Sequence, residues 1–233
     1  MSDINKRVPK GFFFHGQIQH LMMLLLLVPG AWLLISPALD DGAFLGMSDR
    51  VWAALLIGIV VIHQVLVSLV FRGQICYSTF SRMFGRADLT VWGILFFPFL
   101  IARPLVLLGV GLSDCNSLGI SRPLEIAAGV VLLIPAVYTL WSVGRYFGVE
   151  RALGGDHFRE KYRHMPMVRE GAFKYNSNAM YSYVFLGLWA IALFCGSRAA
   201  LGLALFQHAY IWVHVYCTEN PDIEILYGPE SDS

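Results

Sequence analysis

Charge is scarce in this chain: of 233 residues only 14% are Asp, Glu, Lys or Arg, while 57% are hydrophobic. A soluble domain carries about 25% charged residues. A water-facing surface on a fold of this size would therefore be short of polar cover. The 17 basic and 16 acidic side chains nearly cancel to a net charge of +1, which leaves no global field for nucleic acid. Cys76, Cys115, Cys195 and Cys217 lie far apart with no C-x-x-C pair, which argues against a zinc site and against a disulfide framework. No H-E-x-x-H, P-loop or G-x-S-x-G run occurs, and there is no internal repeat or low-complexity tract. Gly109-x-Gly111 lacks the third glycine of a dinucleotide-binding turn and is read as helix packing or a turn.

What the chain does have is apolar runs, with a mean hydropathy of +0.60. A helix needs about 20 residues to cross a hydrocarbon core of about 30 Å. Leu21–Leu39, Val51–Phe71, Leu89–Leu112, Leu124–Phe147, Ala179–Cys195 and Ala199–Tyr216 are candidate spans. The expected fold is therefore all-α, a polytopic membrane helix bundle of about six spans. The last two runs are joined by Gly196-Ser197-Arg198, short enough to make an antiparallel hairpin. The first run lacks a small-residue cleavage site and further spans follow it, so it reads as a span and not a signal peptide.

Basic residues set an orientation. Lys6, Arg7 and Lys10 precede the first span. Arg72, Arg82 and Arg86 fall in the second connection, and Arg145 to Lys174 supply seven more in the fourth. The opposite side has Arg50, Arg122 and Arg198. Both termini and the long connection are expected in the cytoplasm, in either a bacterial inner membrane or an endoplasmic reticulum. Gly148–Ser177 mixes both charge signs with aromatics and methionines, and reads as an ordered cytoplasmic lid.

Several polar residues interrupt the spans. Gln207, Tyr210, His214 and Cys217 are spaced to share one helix face, and Thr218 and Glu219 continue it, while His208 lies elsewhere. Membrane-embedded polar groups face a bundle interior or a wet cavity, either as interhelical glue or as a site. His20 and His63 read as satisfied packing histidines. Arg103 is costly in mid-span; it either snorkels or meets a lipid phosphate. Gly144 and Gly148 suggest a close helix contact. Asn178 reads as an N-cap, with first-turn N–H groups able to hold a carboxylate.

The segment Gly171-Ala-Phe-Lys-Tyr-Asn-Ser-Asn-Ala-Met-Tyr181 resembles the G-P-Y-R-Y-x-R-H-P-M-Y entry of the integral-membrane phospholipid (phosphatidylethanolamine) N-methyltransferase and isoprenylcysteine carboxyl methyltransferase family. Glu219-Asn-Pro-Asp-Ile223, followed by Tyr227-Gly228, resembles that family's E-E-P-D-L exit and F-G. Gly144-Arg-Tyr-Phe-Gly148 is similar to the G-x-Y-F-G of the phospholipid branch. The likeness runs from Gly144 to Gly228. Ser177, Asn178, Ala179 and Asn220 stand where the family has arginine, histidine, proline and a second acid.

This resemblance implies S-adenosylmethionine as cofactor. It implies a cofactor-binding set of Gly171, Tyr175, Asn178, Met180, Tyr181, His214 and Glu219, with Trp189 as further aromatic surface. The acceptor would be a membrane lipid, a phospholipid amine ahead of an isoprenylcysteine carboxylate. A lipid ammonium resembles that of lysine, with a pKa of about 10.4, and must lose a proton before attack. Glu219, His164, His157 and Asp156 are the candidate proton acceptors. Tyr210, Trp212 or Tyr216 would contact a quaternary product. The chain divides into N-terminal transmembrane helices (1–143) and a cofactor-binding loop with C-terminal hairpin and short tail (144–233). Two alternatives stay open. One is an NADPH-dependent membrane lipid reductase using Arg159, Lys161, Arg163 and Arg169. The other is a non-catalytic membrane protein that keeps the hairpin.

Overall fold

The computed structural model describes residues 8–40 and 42–228. Lys6 and Arg7, used above for orientation, lie outside the described residues. Helices dominate: α1 (Gln17–Ile35), α2 (Asp49–Tyr77), α3 (Asp88–Ser113), α4 (Arg122–Ser142), α5 (Leu186–Cys195), α6 (Arg198–His214) and α7 (Asn220–Tyr227). A two-residue antiparallel hairpin, Ala43–Phe44 with Met47–Ser48, is the sheet content of the described residues. Among those residues, four helical stretches are long and apolar enough to cross a membrane: Lys10–Ala38, Asp49–Tyr77, Thr79–Ser113 and Arg122–Phe147. Met180–Cys195 is a shorter apolar helix, and α6 carries the polar stripe.

The molecule is a membrane bundle, apolar outside and polar within. Leu21, Leu25 and Leu26 on α1 and Val131, Ile134 and Val137 on α4 stand exposed. His63, Arg103, Thr139, Gln207 and His214 are buried. Apolar surface on this scale suits lipid rather than water. Helices are the solution because no water in the bilayer can satisfy a free backbone group. An interior layer of Ile35, Leu56, Val60, Leu107 and Leu203 ties α1, α2, α3 and α6 together. Gly109 and Gly111 work here as packing glycines. A Cβ on the first would fall 2.6 Å from the Trp52 ring, and on the second 2.6 Å from the Cys195 sulfur.

The terminal hairpin turns where expected. Gly196 closes α5 in the left-handed region (φ +60°) and the Ser197 hydroxyl caps α6 by accepting from the Ala200 N–H. Asp114 accepts from Ser197 Oγ (2.7 Å) and from the Ala199 N–H (2.9 Å). Arg122 donates to Glu125 and to the carbonyls of Leu193 and Phe194. The turn is thus bolted to the ends of α3 and α4. Since α4, α5 and α6 alternate in direction, the end of α4, the start of the hairpin and the end of α6 share the opposite face of the bundle.

Candidate active site

Three π-helical turns mark that face: Val143–Phe147 after α4, Met180–Val184 before α5 and Val215–Glu219 after α6. Each widens the helix by one residue, a distortion found often at functional sites. They coincide with the three segments that drew attention in the sequence. The expected contact between Gly144 and Gly148 is not there. A Cβ on either would meet nothing within 4 Å, and Gly148 (φ +90°) instead lets the chain leave the helix.

Tyr181 and Glu219 meet across the hairpin mouth, the tyrosine hydroxyl donating to Glu219 Oε2. His214, one turn back on α6, sets its Nε2 3.5 Å from Glu219 Oε1. His214 is buried and its Nδ1 has no partner among the described residues. The Glu219 side chain is 18% exposed, and no lysine or arginine of the described residues pairs with it. The mouth therefore holds a partly exposed carboxylate whose oxygens meet Tyr181 and His214. The ring of Trp212 lies edge-on to Tyr181 at 6.4 Å.

A cleft of about 670 Å³ is lined by Tyr146, Phe147, Arg151, Met167, Glu170 and Tyr227 among others. Gly171 shapes its back wall. It holds φ +60°, and a Cβ there would fall 2.5 Å from Ser142 Oγ and 2.9 Å from the Tyr146 ring. The close approach lets the Ala172 N–H donate to Ser142 Oγ at 3.0 Å. Phe173 stacks on Phe147 at 5.1 Å, and Met180 packs against Ala172, Phe173 and Ala179. The lid is ordered in short helical turns, Val149–Ala152, Gly155–Phe158 and Glu160–Arg163. The volume of the cleft lies within the range of small-molecule sites, as does that of a second cleft of about 660 Å³ lined by Arg86, Leu89, Phe97 and Arg159.

Not every expected residue arrives. Tyr175 is 72% exposed. His164 stands in solvent, 3.7 Å from Glu160. Asn178 is exposed, and the amide oxygen that caps the entry is that of Asn176, which accepts from the Asn178 N–H at 2.8 Å. The N–H groups of Asn178, Ala179, Tyr181 and Ser182 all donate within this turn, so the helix start offers an anion little. His157 is not a solvated loop residue but is buried between Asp156 (2.9 Å) and Asp222 (3.1 Å), with Phe71 stacked on its ring at 3.9 Å.

That histidine belongs to a charge network that the sequence did not reveal. Arg72, assigned above to a connection, is inside α2, fully buried, and bridges Asp222 at 2.9 Å. It also donates to the carbonyls of Cys217 and Thr218 and lies over the Phe12 ring at 4.0 Å. Tyr227 donates to Asp156 at 2.9 Å. Burial works against charge on His157, but Asp156 and then Asp222 outweigh it and raise its pKa to about 10. Burial likewise pushes Asp156 up, yet the charged His157 and the bonds from His157 and Tyr227 pull it down to about 2. Asp222 lay in the quoted exit motif; the missing signal was its partner, 150 residues upstream in a different span.

Comparison with known proteins gives this geometry a context. Residues 124–230 match the family model described as phospholipid methyltransferase. The phosphatidylethanolamine N-methyltransferases of Lodderomyces elongisporus and Candida albicans are each 30% identical over 78 residues, covering 34% of this chain and 9% of theirs. That of Clavispora lusitaniae is 32% identical over 75 residues, covering 32% of this chain and 9% of its own. The match thus spans about a tenth of the length of these curated relatives. No solved structure matches. The part of the chain that builds the mouth and the cleft carries the phospholipid methyltransferase signature.

Proposed function

We propose that this membrane protein, with its phospholipid methyltransferase segment, is an S-adenosylmethionine-dependent enzyme that methylates the amine of a phospholipid. The observation that carries the reading is the Tyr181–Glu219–His214 mouth, an acidic group that no lysine or arginine of the described residues pairs with, together with an aromatic-lined cleft in the same part of the chain. Residues 144–233 would form the cofactor unit and residues 1–143 the membrane frame. The basic connections would face the cytoplasm, and the acceptor would come laterally from that leaflet.

The residues present fit the cofactor. Glu219 offers a carboxylate to its ammonium group. Tyr146 and Phe147 offer flat apolar surface to the adenine. Glu219 and Tyr227 lie about 12 Å apart along one helical run, a span suited to an extended nucleoside. When bound, the cofactor supplies an electrophilic methyl group on a sulfonium. Aromatic faces and a carboxylate favour such a cation.

The chain's own work is positioning and proton removal. The lipid ammonium enters beside the cofactor and gives up its proton to the Tyr181–Glu219–His214 group. Glu219 Oε2 is held by Tyr181 while Oε1 faces His214, so an accepted proton has an onward route to the imidazole. His157 takes no part as a base. It is already charged, with a pKa of about 10, and is clamped by two carboxylates.

Thermal-shift titration of detergent-purified protein tests the reading. S-adenosylhomocysteine should raise the midpoint and NADP should not. Glu219→Ala should abolish the S-adenosylhomocysteine response with membrane insertion intact. Stabilisation by NADP alone would replace the proposal with a reductase, and silence to both with a non-catalytic protein. Unchanged affinity in Glu219→Ala would mean that the site lies elsewhere.

A further inference from the structure

The second cleft, of about 660 Å³, shares no lining residue with the first and none with the Tyr181–Glu219–His214 mouth. One wall is a face of α3, where Leu89, Gly93, Ile94, Phe97 and Pro98 recur at helical spacing. Leu89 to Pro98 runs about 14 Å along the helix, close to the depth of one leaflet of a hydrocarbon core of about 30 Å. Ile94 is 67% exposed, so the cleft opens on the lipid-facing side of α3. The other wall is the lid, with Leu153, Arg159 and Lys161. Arg86, just ahead of α3, closes the same end as the lid cations.

The cleft is graded, with charge at one end and hydrocarbon at the other. Its lining carries three cations and one carboxylate, Glu150. Arg159 is taken by Asp88, to which its Nη1 donates at 2.9 Å. Glu150 accepts from the Tyr162 hydroxyl. It sits 3.7 Å from Lys161, the two side chains being 63% and 65% exposed, and so loose a pair is worth little. Arg86 is exposed, and no carboxylate of the described residues pairs with it. Arg86 and Lys161 can therefore receive an anion. A bilayer supplies molecules of this shape, an anionic head joined to a chain one leaflet long. The basic end belongs to connections that the proposed orientation sets in the cytoplasm, where basic clusters beside a span attract anionic lipids. A soluble anion would leave the face of Ile94, Phe97 and Pro98 uncovered, and an uncharged lipid would leave Arg86 unpaired.

We propose that this cleft binds a membrane phospholipid of net negative charge, with its phosphate on Arg86 and Lys161 and a chain along Ile94, Phe97 and Pro98. The site goes beyond the methyltransferase reading and does not rest on it, since the bound lipid is neither acceptor nor product. It touches α3 and the lid at once. Glu150 and Arg151 are neighbours in one turn, Val149–Ala152, yet line different clefts. A lipid held here therefore bears on the same turn that walls the first cleft.

The test uses the full chain in detergent and compares the wild type with the double variant Arg86→Gln, Lys161→Gln. The probes are dioctanoyl phosphatidylglycerol, dioctanoyl phosphatidylcholine and inorganic phosphate. Both substituted side chains are exposed, so the variant should keep the thermal midpoint of the unliganded wild type. Phosphatidylglycerol should bind the wild type more tightly than phosphatidylcholine does, and it should slow hydrogen exchange across the lid turns, residues 149–163. In the double variant its affinity should fall about 25-fold, about fivefold for each basic side chain, while that of phosphatidylcholine holds. Equal wild-type affinity for the two lipids would overturn the proposal, as would an unchanged phosphatidylglycerol affinity or an equal fall for both lipids in the variant. Binding that leaves exchange in the lid untouched would put the lipid elsewhere on the bundle and also overturn it. If inorganic phosphate gives the same Arg86- and Lys161-dependent protection, the cleft is a site for soluble anions and the lipid assignment fails. Should the double variant not fold, Arg86→Gln alone decides, with a fall of about fivefold expected and an unchanged affinity overturning the proposal.

Discussion

Two buried polar clusters occupy this bundle, and they are built on opposite terms. Beneath the lid, Arg72, Asp222, His157 and Asp156 form a chain in which each cation touches a carboxylate. In mid-bundle, Arg103 has an amide and an aromatic face for company, and His63 has aromatic rings alone. A charge-paired cluster is a strut, although Arg72 Nε keeps no hydrogen-bond partner among the described residues: mutual attraction opposes its desolvation cost, and it ties α2, the lid and α7 together. A cluster whose cation has no carboxylate keeps the full desolvation cost of that charge. The contrast separates a cluster whose cations are paired with carboxylates from one whose cation is not.

The strongest way to break this contrast is to cut the strut. Asp222→Ala leaves Arg72 and His157 buried without their shared acid. It should cost about 3–5 kcal/mol, read as a large fall in thermal midpoint and faster proteolysis in residues 149–164. A mild effect would mean that water already compensates these charges.

A smaller effect should follow from pH. The His157 pKa is raised from 6.5 to about 10, so its contribution is complete below the first value and fades as pH climbs through the second. Asp156 is depressed from 3.8 to about 2, so its share is complete above the first value and fades as pH drops through the second. The thermal midpoint should be highest between these windows and decline on the alkaline side above about pH 6.5. His157→Gln should flatten that alkaline decline.

The smallest change is expected in mid-bundle. Arg103→Met strands the Gln207 oxygen but also removes an uncompensated buried charge, and these oppose each other. Its midpoint shift should be well under half that of Asp222→Ala. Equal losses in the two variants would erase the distinction between the paired and the unpaired cluster.

Features set by neighbours in the chain were legible beforehand. The apolar runs located the helices, and Gly196-Ser197-Arg198 located the hairpin turn, because a left-handed glycine and a serine cap are local chemistry. The face shared by Gln207, Tyr210, His214 and Cys217 is buried throughout, as helical spacing required. His20 is satisfied by Tyr210 at 2.8 Å, as a packing histidine should be, but His63 of the same sequence type is not. What decides between them is whether another helix presents a partner, and no local pattern encodes that. Arg72 read as a loop charge because its partner Asp222 is far away in sequence. Asn178 and Asn176 were exchangeable as caps until the turn geometry chose one.

The brevity of Met180–Cys195 has one more consequence. That helix is about 24 Å long, several ångströms short of an average hydrocarbon core. Its lipid neighbours must thin or tilt to match it, so the membrane surface dips around the terminal pair. Headgroups would be lowered toward the Tyr181–Glu219 pair before any of them leaves its leaflet, and the proposed methyl transfer should then depend on acyl-chain length in the surrounding membrane.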